Sequence, residues 1–183
     1  CGSSSTNFII VKTHSKYDDI KIKHEKVIIL YREPEDCLIS FYYHQQAKGK
    51  VSVNSSISKD DFANEKITQW IDFYSSYLHS AIPISTLSYE NLHANPLSSL
   101  KVLFKDLGVN ASEKILLKAI ERNKFKNFKG EWMLSNNDEP NHAFFRKGNS
   151  GEGKKEFSRN ILNFIKESSN ETLKKLQDLH PTL

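Results

Sequence analysis

Cysteine is nearly missing: Cys1 and Cys37 are the two in 183 residues. Two thiols cannot form a disulfide framework or a four-cysteine zinc site, so a hydrophobic core must hold the chain together, and a reducing, cytoplasmic setting is the simplest fit. Long apolar runs are missing as well. Nothing approaches the roughly 18 consecutive apolar residues that a membrane-crossing helix needs. Charge of one sign is not dominant either: 26 Lys and Arg against 22 Asp and Glu give +4. That mild excess permits an anionic small-molecule site and argues against a dedicated nucleic-acid binder. His24, His44, His79, His93, His142 and His180 are scattered without ligand spacing, so surface positions and no metal are expected. Methionine occurs once, at Met133, and the opening residues lack the charged head and apolar stretch of a signal peptide. Cys1 is therefore not expected to be the translation start.

What is present describes one folded domain. Hydrophobic residues make up 38% and charged residues 26%, with 11 Phe, 7 Tyr and 2 Trp. Phe8-Ile9-Ile10-Val11 and Val27-Ile28-Ile29-Leu30-Tyr31 are unalternating and rich in β-branched residues, as strands covered on both faces are. Ile82 to Leu87 is a third strand whose Pro83 marks an edge or a beginning. Helices are predicted from Glu35 to about Gln46 and from Asp60 to His79. A third is predicted after Asn95-Pro96 up to Gly108, and a fourth after Ser112. A last helix starts near Ser158, with a break at Ser168-Ser169-Asn170. Strands separated by helices predict an α/β fold with a central parallel sheet flanked by helices in three α/β/α layers. The polar, aromatic and basic stretch from Phe125 to Lys155 is a long loop of the kind that carries function or lacks order.

Three constellations could carry chemistry. Lys12-Thr13-His14 follows the first predicted strand, where open α/β sheets bind ligands. A lysine and a histidine there could meet an anion and move a proton, or form a solvated strand end. Arg32 leaves the second strand, and Ser40 lies on the next helix. A guanidinium and a hydroxyl converging would make a phosphate site; apart, they are a turn arginine and a helical serine. Arg146-Lys147-Gly148 puts two cations beside a glycine, which lets backbone N–H groups and side chains close on a phosphate, unless the loop is simply mobile and basic.

Together these residues resemble sulfotransferases that use 3′-phosphoadenosine 5′-phosphosulfate (PAPS). Arg32-Glu33-Pro34-Glu35-Asp36, then Ser40 and Phe41-Tyr42-Tyr43-His44, is similar to the family's 3′-phosphate segment. Lys12-Thr13-His14 resembles the Lys-Thr-His of the cytosolic type, and Tyr89-Glu90-Asn91 the strand-end Tyr-Glu-Asp. Arg146 to Lys154 resembles the Arg-Lys-Gly-x-x-Gly-Asp-Trp-Lys signature. The resemblance implies a fold like that of P-loop NTPases, spanning residues 1–183 as a single domain. It implies that Arg32, Ser40, Arg146, Lys147 and Gly148 hold the 3′-phosphate and that Tyr89 lies near the adenine. Phe125 stacks on the base or belongs to the core. His14 would be the catalytic base and Lys12 would offset charge on the transferring group, with PAPS as co-substrate and a small-molecule hydroxyl or amine as acceptor. No nucleic acid, membrane or metal is implied.

Three departures stand out. The family's phosphosulfate-binding loop, similar to Pro-Lys-Ser-Gly-Thr-Thr-Trp, does not precede Lys12, so the N-terminal strand-loop-helix portion is expected to be missing from this chain. Gly153 replaces the signature Trp and Glu152 its Asp, so the loop is expected to close differently. The dimer segment of the cytosolic type has no counterpart, which leaves the oligomeric state open. Two alternatives remain: a non-catalytic nucleotide-binding relative, and another phosphate-handling transferase such as a kinase, which would need a Gly-x-x-x-x-Gly-Lys-Ser/Thr loop and magnesium ligands.

Overall fold

A computed structural model describes residues 10–20, 26–47, 57–124 and 150–180. Strand β1 (Val27–Tyr31) leads into helix α1 (Pro34–Ala47), and α2 (Lys59–Leu78) returns to strand β2 (Ile84–Ser88). After β2 come α3 (Tyr89–Ala94), α4 (Pro96–Asp106), α5 (Glu113–Arg122), the short α6 (Gly153–Glu156) and α7 (Arg159–Asp178). The strands run parallel, with Val27 opposite Ile84 and Tyr31 opposite Ser88. Pro83 lies one residue before β2, where it still offers its carbonyl to the Val27 N–H at 3.0 Å. A proline has no N–H to give to a ladder, so the start of a strand suits it.

Helix α2 shows how the pattern becomes packing. Phe62, Ile67, Trp70, Tyr74 and Tyr77 recur every three to five residues and are buried, and Ser58 caps the helix by accepting the Asp61 N–H. These side chains meet Ile29 and Tyr31 of β1, Leu38 and Ile39 of α1, and Ile161, Ile165 and Leu176 of α7 in one core. On the opposite face of β2, α4 buries Ser99, Val102 and Leu103. Helices therefore flank β2 on both sides.

Four expectations need correction. Ile10 and Val11 are not in a strand; they are exposed, Ile10 at 86%. Phe8 and Ile9 lie outside the described residues. An apolar β-branched run becomes a strand when a neighbouring edge offers ladder hydrogen bonds, and among the described residues none pairs with Ile10 or Val11. β1 itself alternates: Ile29 and Tyr31 are buried, while Ile28 and Leu30 are about half exposed. No described element covers that second face.

The predicted break in the last helix is also absent. α7 runs through Ser168-Ser169-Asn170. Ser169 is buried and returns its hydroxyl to the Ile165 carbonyl at 2.7 Å, and Thr172 lies 3.4 Å from the Ser75 hydroxyl of α2. Small polar residues there let two helices approach closely, with their hydroxyls satisfied within the contact. His180 was expected at the surface; its Nδ1 lies 3.0 Å from the Thr86 carbonyl of β2. A carbonyl can only accept, so Nδ1 carries the proton in that bond.

Candidate functional site

The carboxyl ends of β1 and β2 converge on one corner, because the strands are parallel and in register. Arg32 follows β1 directly and Tyr89 follows β2 directly. The Arg32 guanidinium lies over the Tyr89 ring, 4.7 Å from its centroid. A planar cation on an aromatic face is held in orientation at little entropic cost. The corner is braced underneath by Glu90, which accepts the Glu33 N–H at 3.2 Å and the Ser88 hydroxyl at 3.0 Å. Ser88 also accepts the Asn91 N–H and so caps α3.

The third participant is Asp36, in the first turn of α1, where acidic side chains suit a helix N-terminus. Its carboxylate is buried, and three groups reach it. Oδ2 accepts the Gly151 N–H at 2.6 Å, and Oδ1 accepts the Gly153 N–H at 2.7 Å. Arg32 Nη2 lies 3.6 Å from Oδ2. Asp36 therefore ties the Gly151–Gly153 segment to the arginine at the end of β1, across 115 residues of sequence. The first helical turn and its acidic character were readable in the sequence, but nothing local indicated that distant partner.

Gly153, the departure from the family Trp, has a steric reason. A Cβ at this position would overlap the Glu35 carbonyl carbon and lie 2.5 Å from its oxygen and 2.8 Å from its Cβ. No side chain fits where these two backbones meet. Past Gly153, Glu156 binds Lys59 of α2 at 2.5 Å and accepts the Tyr43 hydroxyl of α1 at 3.2 Å, which fastens α6 on both sides.

Of the residues singled out in the sequence, the structure brings Arg32 and Tyr89 into contact. Ser40 lies one helical turn beyond Asp36 and is exposed. Lys12 and His14 are exposed, on a segment fastened to α2 through the residues just after them. The Ser15 carbonyl accepts the Tyr77 hydroxyl at 2.6 Å, the Tyr17 N–H bonds Ser76 at 3.0 Å, and Lys16 pairs with Asp72 at 3.2 Å. Phe125, Arg146, Lys147 and Gly148 lie outside the described residues. Among the described residues no group of three or more His, Cys, Asp or Glu is placed to hold a metal ion. No described helix is long and apolar enough to cross a membrane.

Electrostatics at the corner is unbalanced. Burial raises the pKa of Glu33, and the nearby Glu35, Glu90 and Asp36 carboxylates push it the same way, against the opposing pull of Lys154. A carboxylate with a raised folded-state pKa favours the fold when protonated and loses that contribution as pH rises through the raised value. Glu33→Gln is therefore expected to raise the melting temperature at pH 7. The gain should vanish below about pH 4, where both states are protonated. A melting temperature at pH 7 equal to or below the parent's would refute the strain assigned to Glu33.

Comparison with known proteins follows the same lines. The family model described as the sulfotransferase domain matches residues 3–177. Solved structures share the fold at low identity. Mouse sulfotransferase SULT7A1 complexed with PAP has a TM-score of 0.63 at 18% identity, over 84% of this chain and 62% of its own. Retinol dehydratase with androsterone and inactive cofactor PAP gives 0.60 at 20% identity, over 81% of this chain and 47% of its own. Retinol dehydratase with retinol and PAP gives 0.62 at 20% identity, over 81% and 48%. The chain thus spans less than two thirds of the length of each of these proteins. No curated protein sequence matches it. The parallel strand ends, the arginine on its tyrosine and a profile match over nearly the whole length agree: the chain belongs to the sulfotransferase domain family.

Proposed function

We propose that this chain carries the 3′-phosphonucleotide half of an enzyme that transfers a sulfuryl group from PAPS to a hydroxyl or amine of a small molecule. The observation that carries it is the Arg32 guanidinium, held over Tyr89 where two parallel strands end. That is the place where open α/β sheets take ligands. The residues fit an anion: a partly buried cation fixed in orientation can give a phosphate charge-assisted hydrogen bonds. The N–H groups of Gly151 and Gly153 are already engaged by Asp36. On the family resemblance, Arg146, Lys147 and Gly148 close over the phosphate, and Ser40 supplies a hydroxyl from α1. Arg146 precedes Gly151 by five residues, about 18 Å of chain at most, and Gly151 is bound to the carboxylate that faces Arg32, which supports assigning the triplet to the same phosphate. Tyr89 lies beside the adenine, and Phe125 stacks on it.

His14 takes the acceptor proton while the acceptor oxygen or nitrogen bonds to sulfur. The bond from sulfur to the bridging phosphate oxygen breaks, and its electron pair leaves with 3′-phosphoadenosine 5′-phosphate (PAP). Lys12 offsets the charge on the transferring group. The acceptor is a small molecule, as the androsterone and retinol in the dehydratase structures suggest. A cytoplasmic setting completes the proposal, supported by the low cysteine content.

The test is a thermal shift with PAP against 5′-AMP, which differs only by the 3′-phosphate. PAP is expected to raise the melting temperature and 5′-AMP to raise it much less, since ligand bound to the native state adds stability that grows with the logarithm of its concentration over its dissociation constant. Arg32→Ala should weaken PAP binding by about 1.5–3 kcal/mol, the contribution of a hydrogen bond to a charged group. Equal shifts from the two nucleotides, or unchanged PAP affinity in Arg32→Ala, would reject the assignment.

A further inference from the structure

We propose that Asp36 is a positioning residue for nucleotide binding: one buried carboxylate sets the Arg32 guanidinium and the Gly151–Gly153 segment in fixed relation. The inference rests on the proposed function above and adds a residue to which no role was assigned from the sequence. Asp36 is 1% exposed; the Gly151 and Gly153 N–H donors and the charge of Arg32 at 3.6 Å offset the loss of water around its carboxylate. Both of its oxygens bind the Gly151–Gly153 segment, and one of them also faces the arginine. Oδ1 serves Gly153; Oδ2 serves Gly151 and faces Arg32. Gly151 sits at φ +82°, a conformation that side chains avoid, and Gly153 is pressed against the Glu35 backbone. The chain therefore turns and closes down at the two residues whose N–H groups point at Asp36. A shift of Gly151 or Gly153 must move the carboxylate or break its bonds, and either disturbs Arg32. Ligand contact at Arg32 and order at Gly151 to Gly153 are coupled through this one side chain, and such coupling is reciprocal.

Asp36→Asn keeps the shape but halves the acceptor capacity, because an amide NH₂ cannot accept either glycine N–H. Calorimetry on the variant is expected to show PAP affinity reduced by about tenfold to a hundredfold, the range for a disturbed charged contact. 5′-AMP affinity, which does not use the 3′-phosphate corner, should stay within about threefold of the parent. A purely structural role would weaken both nucleotides together, and that result would overturn the proposal. In the parent, PAP is expected to slow hydrogen exchange at the Gly151 and Gly153 amides, and this readout needs no variant to fold. Unchanged exchange at both amides on saturation with PAP would overturn the coupling. Failure of the parent to bind PAP at all would instead sink the proposed function, and the positioning role with it. Binding by the parent with equal PAP affinity in Asp36→Asn would sink only the role of Asp36.

Discussion

Gly153→Ala is expected to destabilise the protein by roughly 2–4 kcal/mol, the upper part of the range for forcing volume into a packed site. The added methyl carbon has nowhere to go. The Glu35 carbonyl carbon, oxygen and Cβ all lie inside van der Waals contact, and two of them are backbone atoms of the first turn of α1. Moving away would stretch or break the Gly153 N–H bond to Asp36, leaving a buried carboxylate oxygen short of a donor. Gly151→Ala is the matched comparison. There a Cβ meets nothing within 4 Å, and the cost is that of the positive φ alone, about 1–2 kcal/mol. Denaturant unfolding of the two variants checks the order. A loss at Gly153 no greater than at Gly151 would show that the two backbones do not approach as closely as described.

Much of this fold was legible because helices declare themselves locally. α2 was readable from its apolar spacing and α4 from Asn95-Pro96, although Asn95 forms no side-chain cap bond. β2 was readable with its leading proline. The misplaced features all depend on partners far away in sequence. Ile10 and Val11 carry strand-like residues but have no edge to pair with among the described residues. Ser169 and Thr172 are poor helix formers in isolation, yet α7 continues because α2 supplies a close neighbour for them. Asp36 had the same fate in the site. Its place in Arg32-Glu33-Pro34-Glu35-Asp36 marked it as an acidic first-turn residue, while its bonds to Gly151 and Gly153 depend on a chain segment more than a hundred residues later. The Gly153 departure, read in the sequence as altered loop closure, is a requirement of contact with α1.

His14→Ala is expected to lower sulfuryl transfer by about 10²- to 10⁴-fold, the usual contribution of a positioned general base. The structure makes this variant informative, because His14 is exposed and makes no hydrogen bond or ion pair among the described residues. The bonds that fasten its segment belong to its neighbours: the Ser15 carbonyl to Tyr77, the Tyr17 N–H to Ser76, and Lys16 to Asp72. Alanine at position 14 leaves all three in place, so the melting temperature and PAP affinity should remain those of the parent. A group that removes a proton only as the acceptor attacks contributes to the transition state and little to ground-state binding, so kcat should fall while the KM for PAPS holds. Arg32→Ala should do the reverse and lose nucleotide affinity first, which separates the base from the phosphate corner within one set of assays. Turnover of His14→Ala within tenfold of the parent would remove the imidazole as the base. A parallel loss of PAP affinity would move His14 from proton transfer to nucleotide binding.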